Sequence, residues 1–85
     1  MVKRSATVAS EVGLHARPAA IIAREAKRAT SPVYISLGEE TVEAQSGLMI
    51  MTLGAQYGDE VTVTSDDEKA VEAVCELIAS PMSSV

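Results

Sequence analysis

The chain has 85 residues, a formal net charge of -5 and a pI of about 4.7, and only 2% of its residues are aromatic. This length predicts one small domain, residues 1–85, which buries roughly 60% of its unfolded surface and has little room for a deep substrate cavity. An acidic, aromatic-poor chain lacks the positive field and the stacking platforms that favour nucleic-acid binding. The totals therefore favour a surface site that acts on another protein.

The residue inventory also bears on metals, cofactors and location. One cysteine cannot form an internal disulfide, and one histidine with one cysteine cannot form a zinc site, so we expect neither metal nor cofactor. We see no apolar stretch long enough for a signal peptide or a membrane span. These observations predict a cytoplasmic protein that does not insert into a membrane.

The first third of the chain predicts a strand and a helix. Residues 2–9 mix β-branched and small residues, which is typical of a strand. A helix is expected to start at His15 or Ala16, because Pro18 suits a first helical turn, and to end at residues 30–32. Its core-facing stripe, spaced i, i+3, i+4 and i+7, is Ala19, Ile22, Ala23 and Ala26.

The middle of the chain predicts two strands and a short helix. Residues 33–37 alternate apolar and polar side chains, and a second strand is expected at about 41–44. Ser46 can cap a short helix that runs through Thr52, and Gly54 can end it.

The last third predicts a strand and a helix. Residues 61–64 alternate Val and Thr, and the acids at 66–68 suit the positive end of a following helix. Pro81 is expected to end that helix, and residues 80–85 read as a fraying tail. The buried helical stripe is predicted to be Val71, Val74, Cys75 and Ile78.

The predicted order is β-α-β-β-α-β-α, which indicates an α+β fold. It contains too few crossovers for a parallel doubly wound sheet. A four-stranded antiparallel sheet with three helices on one face buries these patterns most economically. The order of strands within the sheet does not follow from the patterns.

Residues 13–20, which read GLHARPAA, carry the most chemistry. Gly13 permits an unusual turn before the helix, and His15 then lies at or beside the N-cap. The backbone N–H groups of the first turn, near Ala16 and Arg17, point toward any group bound to the imidazole. The Arg17 guanidinium can bind two phosphate oxygens at once. This arrangement favours a histidine that accepts a phosphoryl group. From spacing alone, the alternative interpretation is that His15 is only a solvated or capping residue.

Three motifs resemble one known family. Residues 13–19 match the active-site signature of the HPr family, the histidine-containing phosphocarriers of the bacterial sugar phosphotransferase system. Residues 45–46 followed by 51–54, and residues 58–63, resemble the same family. Together these motifs span nearly the whole chain.

The resemblance implies a function and a fold. Enzyme I, charged by phosphoenolpyruvate, would phosphorylate Nδ1 of His15, and the IIA component of a sugar permease would receive the group. Arg17 would contact the phosphoryl oxygens, as would the backbone of Ala16 and Arg17. The fold would be an open-faced β-sandwich of four antiparallel strands covered by three helices. The protein would be a stoichiometric carrier rather than an enzyme, and we expect a monomer.

A docking surface is predicted beside the histidine. Small apolar and basic residues lie on the face of the first helix opposite its buried stripe, which favours contact with an acidic partner. The alternative interpretation is an ordinary solvated face. In the short helix, Ile50 is expected to point inward, whereas Leu48 and Met51 are expected to be exposed. The predicted partner-binding residues are Ala16, Ala20, Ile21, Arg24, Lys27, Gly47, Leu48 and Met51.

Ser46 has two interpretations. It can be the N-cap of the short helix, or the regulatory phosphorylation site that some members of the family carry. Gly47, Leu48 and Met49 depart from the bulkier-then-small order expected after such a serine, so capping is the default.

Three other functions compete with sugar uptake. A carrier in a regulatory, nitrogen-type phosphorelay would use the same histidine. A non-catalytic binding module would not need His15, and regulatory relatives of that kind lack it. A small hydrolase would need a cavity and a second catalytic group, and the sequence indicates neither.

Overall fold

The computed structural model describes residues 1–81, so the part of the predicted tail at 82–85 lies outside the described residues. The predicted order of elements is confirmed. Along the chain lie β1 (Val2–Thr7), α1 (Ala16–Lys27), β2 (Val33–Leu37), β3 (Glu40–Glu43), α2 (Gly47–Leu53), β4 (Glu60–Ser65) and α3 (Glu68–Ile78). No helix within 1–81 is long and apolar enough to cross a membrane.

The four strands form one antiparallel sheet in the order β1-β4-β2-β3. The central strands pair with Ile35 opposite Val63 and Ser36 opposite Thr62. The first and last strands along the chain, β1 and β4, are therefore neighbours in the sheet, and β3 is an edge strand. The helix α3 packs against β1 and β4, and α1 packs against α3.

One face of the sheet carries the core. Ile35 and Val63 point toward the helices and are fully buried, as is Ile22 of α1. Ser36 and Thr62 point the other way and are partly exposed. The fold class, a four-stranded antiparallel sheet with three helices, is therefore confirmed. All predicted stripe residues of α1 and α3 are buried.

Several predicted boundaries were wrong by one to three residues. The strand predicted over 2–9 ends at Thr7, because the Val8 N–H donates to the Asp59 carbonyl at 2.8 Å and the Ala9 N–H to the Ile78 carbonyl at 3.0 Å. These groups bind a loop and a helix end instead of the neighbouring strand. The edge strand β3 begins and ends one residue earlier than predicted.

Both long helices end before their predicted stops. The helix α1 ends at Lys27, with Arg28 as C-cap, rather than at 30–32. Beyond the cap, the Thr30 N–H donates to Asp67 Oδ2 at 2.9 Å, which pulls the chain away from the helix axis. The helix α3 ends at Ile78, ahead of Pro81.

Asp67 joins the end of α1 to the start of α3. Its Oδ2 accepts from the Thr30 N–H at 2.9 Å and the Thr30 hydroxyl at 3.2 Å, and its Oδ1 accepts from the Ala70 N–H at 3.2 Å as the N-cap of α3. The bond from the Thr30 backbone, followed by that from Ala70, lowers the pKa of the Asp67 carboxyl below its ordinary value. The charged carboxylate is therefore the form that the fold favours.

We expect Asp67→Asn to lower the thermal unfolding midpoint at pH 7, because an amide cannot accept all three bonds as a carboxylate does. The folded pKa lies below the unfolded value, so the carboxylate stabilises the protein above the unfolded pKa and ceases to do so as pH falls through the folded one. The gap in unfolding midpoint between wild type and Asp67→Asn should therefore narrow below about pH 4. Asp66→Asn is the control, since Asp66 is exposed and its carboxylate lies 3.6 Å from the exposed N-terminal amine, a pair that contributes little to stability. An equal effect of both changes would contradict this account.

Candidate functional site

His15 is the N-cap residue of α1, and its side chain is exposed. Its backbone is extended, with φ -97° and ψ -157°, and its carbonyl accepts the first helical hydrogen bond from the Ala19 N–H at 2.8 Å. The prediction that His15 lies at or beside the N-cap is confirmed, and the imidazole makes no capping hydrogen bond. The helix uses the backbone of this residue and leaves its ring projecting into solvent.

The turn before His15 is held by a distant loop. Gly13 has φ +74°, and its N–H donates to the Ser10 carbonyl at 2.9 Å. The next N–H, that of Leu14, donates to the Ala55 carbonyl at 2.9 Å, while the Leu14 side chain is buried in the core. A Cβ at position 13 would lie 2.6 Å from the Ala55 oxygen. The close approach of these two backbones sets the direction in which His15 leaves the turn.

The first turn of α1 suits an anion on the imidazole. The N–H groups of Ala16 and Arg17 precede the first hydrogen bond of the helix, and buried Pro18 contributes none. No acidic residue lies in this turn, so nothing there offsets the positive end of the helix dipole. Arg17 is exposed two residues after His15. The structure thus places an exposed imidazole at the helix terminus that carries the free backbone donors, with exposed Arg17 in the same helical turn.

The exposed face of α1 is basic toward its C-terminal end. Arg24 and Lys27 lie in the last turn and are both exposed. Glu25 is the one acid of this helix, and its partly buried carboxylate lies 3.9 Å from the exposed guanidinium of Arg28. Such a pair contributes little to stability but reduces the negative charge that this acid presents. The face that continues from His15 along α1 is therefore positive.

The N-terminal end of α2 packs directly on α1. A Cβ at Gly47 would lie 3.6 Å from the Ala19 carbonyl oxygen and 3.8 Å from the Ala20 Cα, which is ordinary van der Waals contact. Ala20 is exposed, and Leu48, the next residue along α2, has 68% of its surface exposed. The two halves of the predicted docking surface therefore form one continuous surface.

Two residues of the predicted docking surface are less accessible than expected. Ile21 and Met51 are half-buried and pack against the core. The prediction that Met51 is exposed was wrong, because α2 contacts both α1 and the sheet and so buries two sides. Ile50 points inward and is fully buried, and Leu48 is exposed, as predicted.

Ser46 is the N-cap of α2. Its Oγ accepts a hydrogen bond from the Met49 N–H at 3.2 Å, and Gly54 ends the helix in the left-handed region at φ +71°. The capping interpretation of Ser46 is confirmed.

Sequence patterns did not identify the loop around Ala55 as part of the site. Its carbonyl anchors Leu14, but the two residues are remote in sequence and a backbone acceptor leaves no trace in residue type. The only signal of this contact in the sequence was Gly13, because a glycine before a helix permits the close approach of another backbone. The same patterns assigned no role to Val12 or Tyr57, which the structure leaves 64% and 65% exposed beside this turn.

Residues 2–80 match the family model PTS-HPr, described as the phosphorylation site of the HPr component. The phosphocarrier protein HPr of Streptomyces coelicolor is 42% identical over 80 residues, which are 93% of this chain and 85% of that protein. The crystal structure of HPr from Bacillus anthracis is 35% identical with a TM-score of 0.85, covering 91% of this chain and 95% of that one.

A regulatory relative is also similar. Crh, a catabolite repression protein of Bacillus subtilis whose crystal structure is a swapped dimer, is 34% identical with a TM-score of 0.72, covering 92% of this chain and 93% of that one. Both kinds of relative share the whole fold, and the family match spans every strand and helix described above. The chain therefore belongs to the HPr family of the phosphotransferase system.

Proposed function

We propose that this chain is a cytoplasmic phosphocarrier that accepts a phosphoryl group from enzyme I on Nδ1 of His15 and passes it to the IIA component of a sugar permease. The observation that carries the proposal is the position of His15. Its exposed imidazole projects from the N-cap of α1 and makes no capping hydrogen bond. A nucleophile placed in this way can meet a second protein in line.

The chemistry needs only the imidazole and the groups around it. The Nδ1 lone pair attacks phosphorus as the bond between phosphorus and the donor breaks, and that electron pair leaves with the donor. The new N–P bond keeps a high transfer potential, so a nucleophile of the acceptor can attack phosphorus as the N–P bond breaks and its electron pair returns to Nδ1. The product is the phosphorylated carrier itself, so the protein acts stoichiometrically rather than as an enzyme, without metal or cofactor.

The N-terminus of α1 stabilises the transferred group. The backbone N–H groups of Ala16 and Arg17 and the positive end of the helix dipole favour negative charge on the phosphoryl oxygens. The Arg17 guanidinium supplies a charged donor that can engage two oxygens at once. We propose that these groups act in both the loading and the unloading step.

Docking uses the surface that α1 and α2 share. Its centre is small or apolar, with Ala16, Ala20, Gly47 and Leu48, and its rim is basic, with Arg24 and Lys27. A partner with acidic residues around an apolar centre would be steered toward it despite the net charge of -5. The half-buried Ile21 and Met51 would support this surface from beneath and contact the partner at their edges. The carrier would act as a monomer, since it must alternate between partners.

The test is loading of the wild type from labelled phosphoenolpyruvate by purified enzyme I. We expect one label per chain, stable in base and labile in acid, that appears only when enzyme I is present. Addition of a IIA protein should then remove the label. An unlabelled chain beside an active enzyme I that labels itself would contradict the proposal.

A regulatory role is the second candidate, because the chain is similar to Crh as well as to phosphocarriers. In that case a different first enzyme, such as that of a nitrogen-type relay, would supply the phosphoryl group, or the chain would bind a regulator without transfer. Labelling by that enzyme but not by enzyme I would support this candidate. Phosphorylation of Ser46 stays a prediction, to be checked by mass spectrometry of the protein from its native cells.

A further inference from the structure

Asp59 supports the loop that anchors the turn before His15. It closes a turn over residues 56–59, because its N–H donates to the Gln56 carbonyl at 2.9 Å and its Oδ2 accepts from the Gln56 N–H at 2.8 Å. Asp59 is half-buried, whereas Gln56 is exposed. The backbone of Asp59 is itself held, since its carbonyl accepts from the Val8 N–H at 2.8 Å. The carboxylate therefore has a defined position beside this loop.

One peptide group connects this carboxylate to the turn before His15. The Gln56 N–H and the Ala55 carbonyl belong to the same planar peptide bond, so a partner that orients the N–H also orients the carbonyl. The N–H donates to Asp59 Oδ2 at 2.8 Å, and the carbonyl accepts from the Leu14 N–H at 2.9 Å. The peptide lies between α2 and β4, outside the helices and strands. Its orientation thus depends on bonds such as these two rather than on a regular hydrogen-bond ladder.

The Asp59 carboxylate also strengthens the bond that it orients. Hydrogen bonds in a chain polarise one another, and a charged acceptor forms the stronger kind of bond. Negative charge at the N–H end of the peptide shifts electron density toward the Ala55 oxygen, which then accepts more strongly from Leu14. Gly13 packs against the same peptide, since a Cβ there would lie 2.6 Å from the Ala55 oxygen and 3.0 Å from the Gln56 Cα. A rotation of this peptide would therefore move the turn before the histidine.

We propose that Asp59 is a positioning residue for phosphoryl transfer, which acts through the 55–56 peptide and Leu14 to hold the direction in which the His15 imidazole projects. This inference rests on the proposed function. Transfer between two docked proteins requires the nucleophile to lie in line with the phosphoryl group, and a small displacement of a reacting group slows transfer strongly. The docking surface on α1 and α2 does not include Asp59. Its loss should therefore reduce the rate within the complex and leave docking unchanged.

The first test measures loading by enzyme I while the concentration of the carrier is varied. Asp59→Ala removes the acceptor of the Gln56 N–H and should lower kcat about tenfold with KM unchanged. Asp59→Asn keeps an acceptor oxygen without the charge, so its kcat should stay within about threefold of the wild type. Equal losses in the two variants would overturn the inference, since the lost charge and not the orientation of the peptide would then explain them. A higher KM with an unchanged kcat would also overturn it, because the residue would then act in docking.

The second test observes the peptide directly and does not depend on enzyme I. The NMR scalar coupling across the hydrogen bond, between the Leu14 nitrogen and the Ala55 carbonyl carbon, reports the strength of that bond. We expect Asp59→Ala to weaken this coupling and to move the Leu14 amide proton to higher field, with Asp59→Asn between it and the wild type. An unchanged coupling in Asp59→Ala would overturn the inference and leave the proposed function intact. A wild type that enzyme I cannot load would overturn the proposed function and the role of Asp59 in transfer together.

Asp67→Ala is the matched control. Asp67 also accepts from a backbone N–H, that of Thr30 at 2.9 Å, and it caps α3. It lies beyond the far end of α1, whose 12 residues span about 18 Å from His15. This variant loses more hydrogen bonds than Asp59→Ala, yet it should load with the wild-type kcat at temperatures where both variants are folded. An equal slowing of both would show that loading follows overall stability, and it would overturn the positioning role.

Discussion

His15→Ala should abolish phosphoryl acceptance while leaving the fold intact. Removal of the nucleophile leaves no other group at the N-terminus of α1 that can form the N–P bond, so loading from enzyme I should fall by about 10³-fold or more, to background. The side chain is exposed and makes no capping hydrogen bond, so its loss should change the free energy of unfolding by no more than about 0.5 kcal/mol. Labelling from phosphoenolpyruvate and thermal unfolding, measured on one preparation, check both expectations.

Arg28→Ala is the control for His15→Ala, since Arg28 is an exposed cation outside the predicted docking set. It should load normally. Label that persists on His15→Ala would contradict the assignment of the acceptor. In that event, acid stability and base lability of the label would point to a phosphoester on a serine such as Ser46.

Gly13→Ala should destabilise the protein by about 2–3 kcal/mol. A side chain in the left-handed region costs about 1–2 kcal/mol, and Gly13 has φ +74°. The new Cβ would also lie 2.6 Å from the Ala55 carbonyl oxygen, so the two backbones must separate. Separation weakens the bond from Leu14 to that oxygen, which contributes about 1 kcal/mol more. Denaturant unfolding measures the sum.

Gly38→Ala isolates the part of this effect that comes from the close contact. Gly38 has φ +62°, similar to Gly13, but a Cβ there would meet no atom within 4 Å. Its substitution should cost only the backbone term of about 1–2 kcal/mol. Equal losses in the two variants would refute the proposed role of Ala55. Gly13→Ala should also slow loading from enzyme I at temperatures where it remains folded, because the turn that directs His15 has moved, whereas Gly38→Ala should not.

Secondary structure could be predicted from the sequence where a pattern repeats within one element. Alternation in β2 and the four-residue stripe in α1 report which side chains face the core, and both were confirmed. The ends of elements were less predictable. The strand β1 ends at Thr7 because the N–H groups of Val8 and Ala9 donate to the carbonyls of Asp59 and Ile78. No local sequence pattern encodes those partners.

The same distinction applies to the candidate site, where groupings of residues close in sequence could be predicted and contacts between remote residues could not. Gly13, His15 and Arg17 are close in sequence, so helix geometry alone places them at one helix N-terminus, where the structure has them. The docking surface spans two helices, and its continuity depends on the contact of Gly47 with Ala20. The burial of Met51 likewise depends on the packing of α2 against both α1 and the sheet, which a seven-residue apolar segment cannot reveal.

By itself, the sequence determined the order of the elements and the faces they bury, and it singled out Gly13, His15 and Arg17 as the candidate site, because each of these depends on spacing along a few turns of chain. Only the tertiary structure decided the strand order β1-β4-β2-β3, the anchoring of the turn before His15 by the Ala55 carbonyl, and the place of Tyr57 beside that turn. These features are contacts between residues remote in the chain, made largely by backbone atoms. Since every residue type offers the same backbone groups, side-chain patterns cannot specify such partners, and packing of the whole chain selects them.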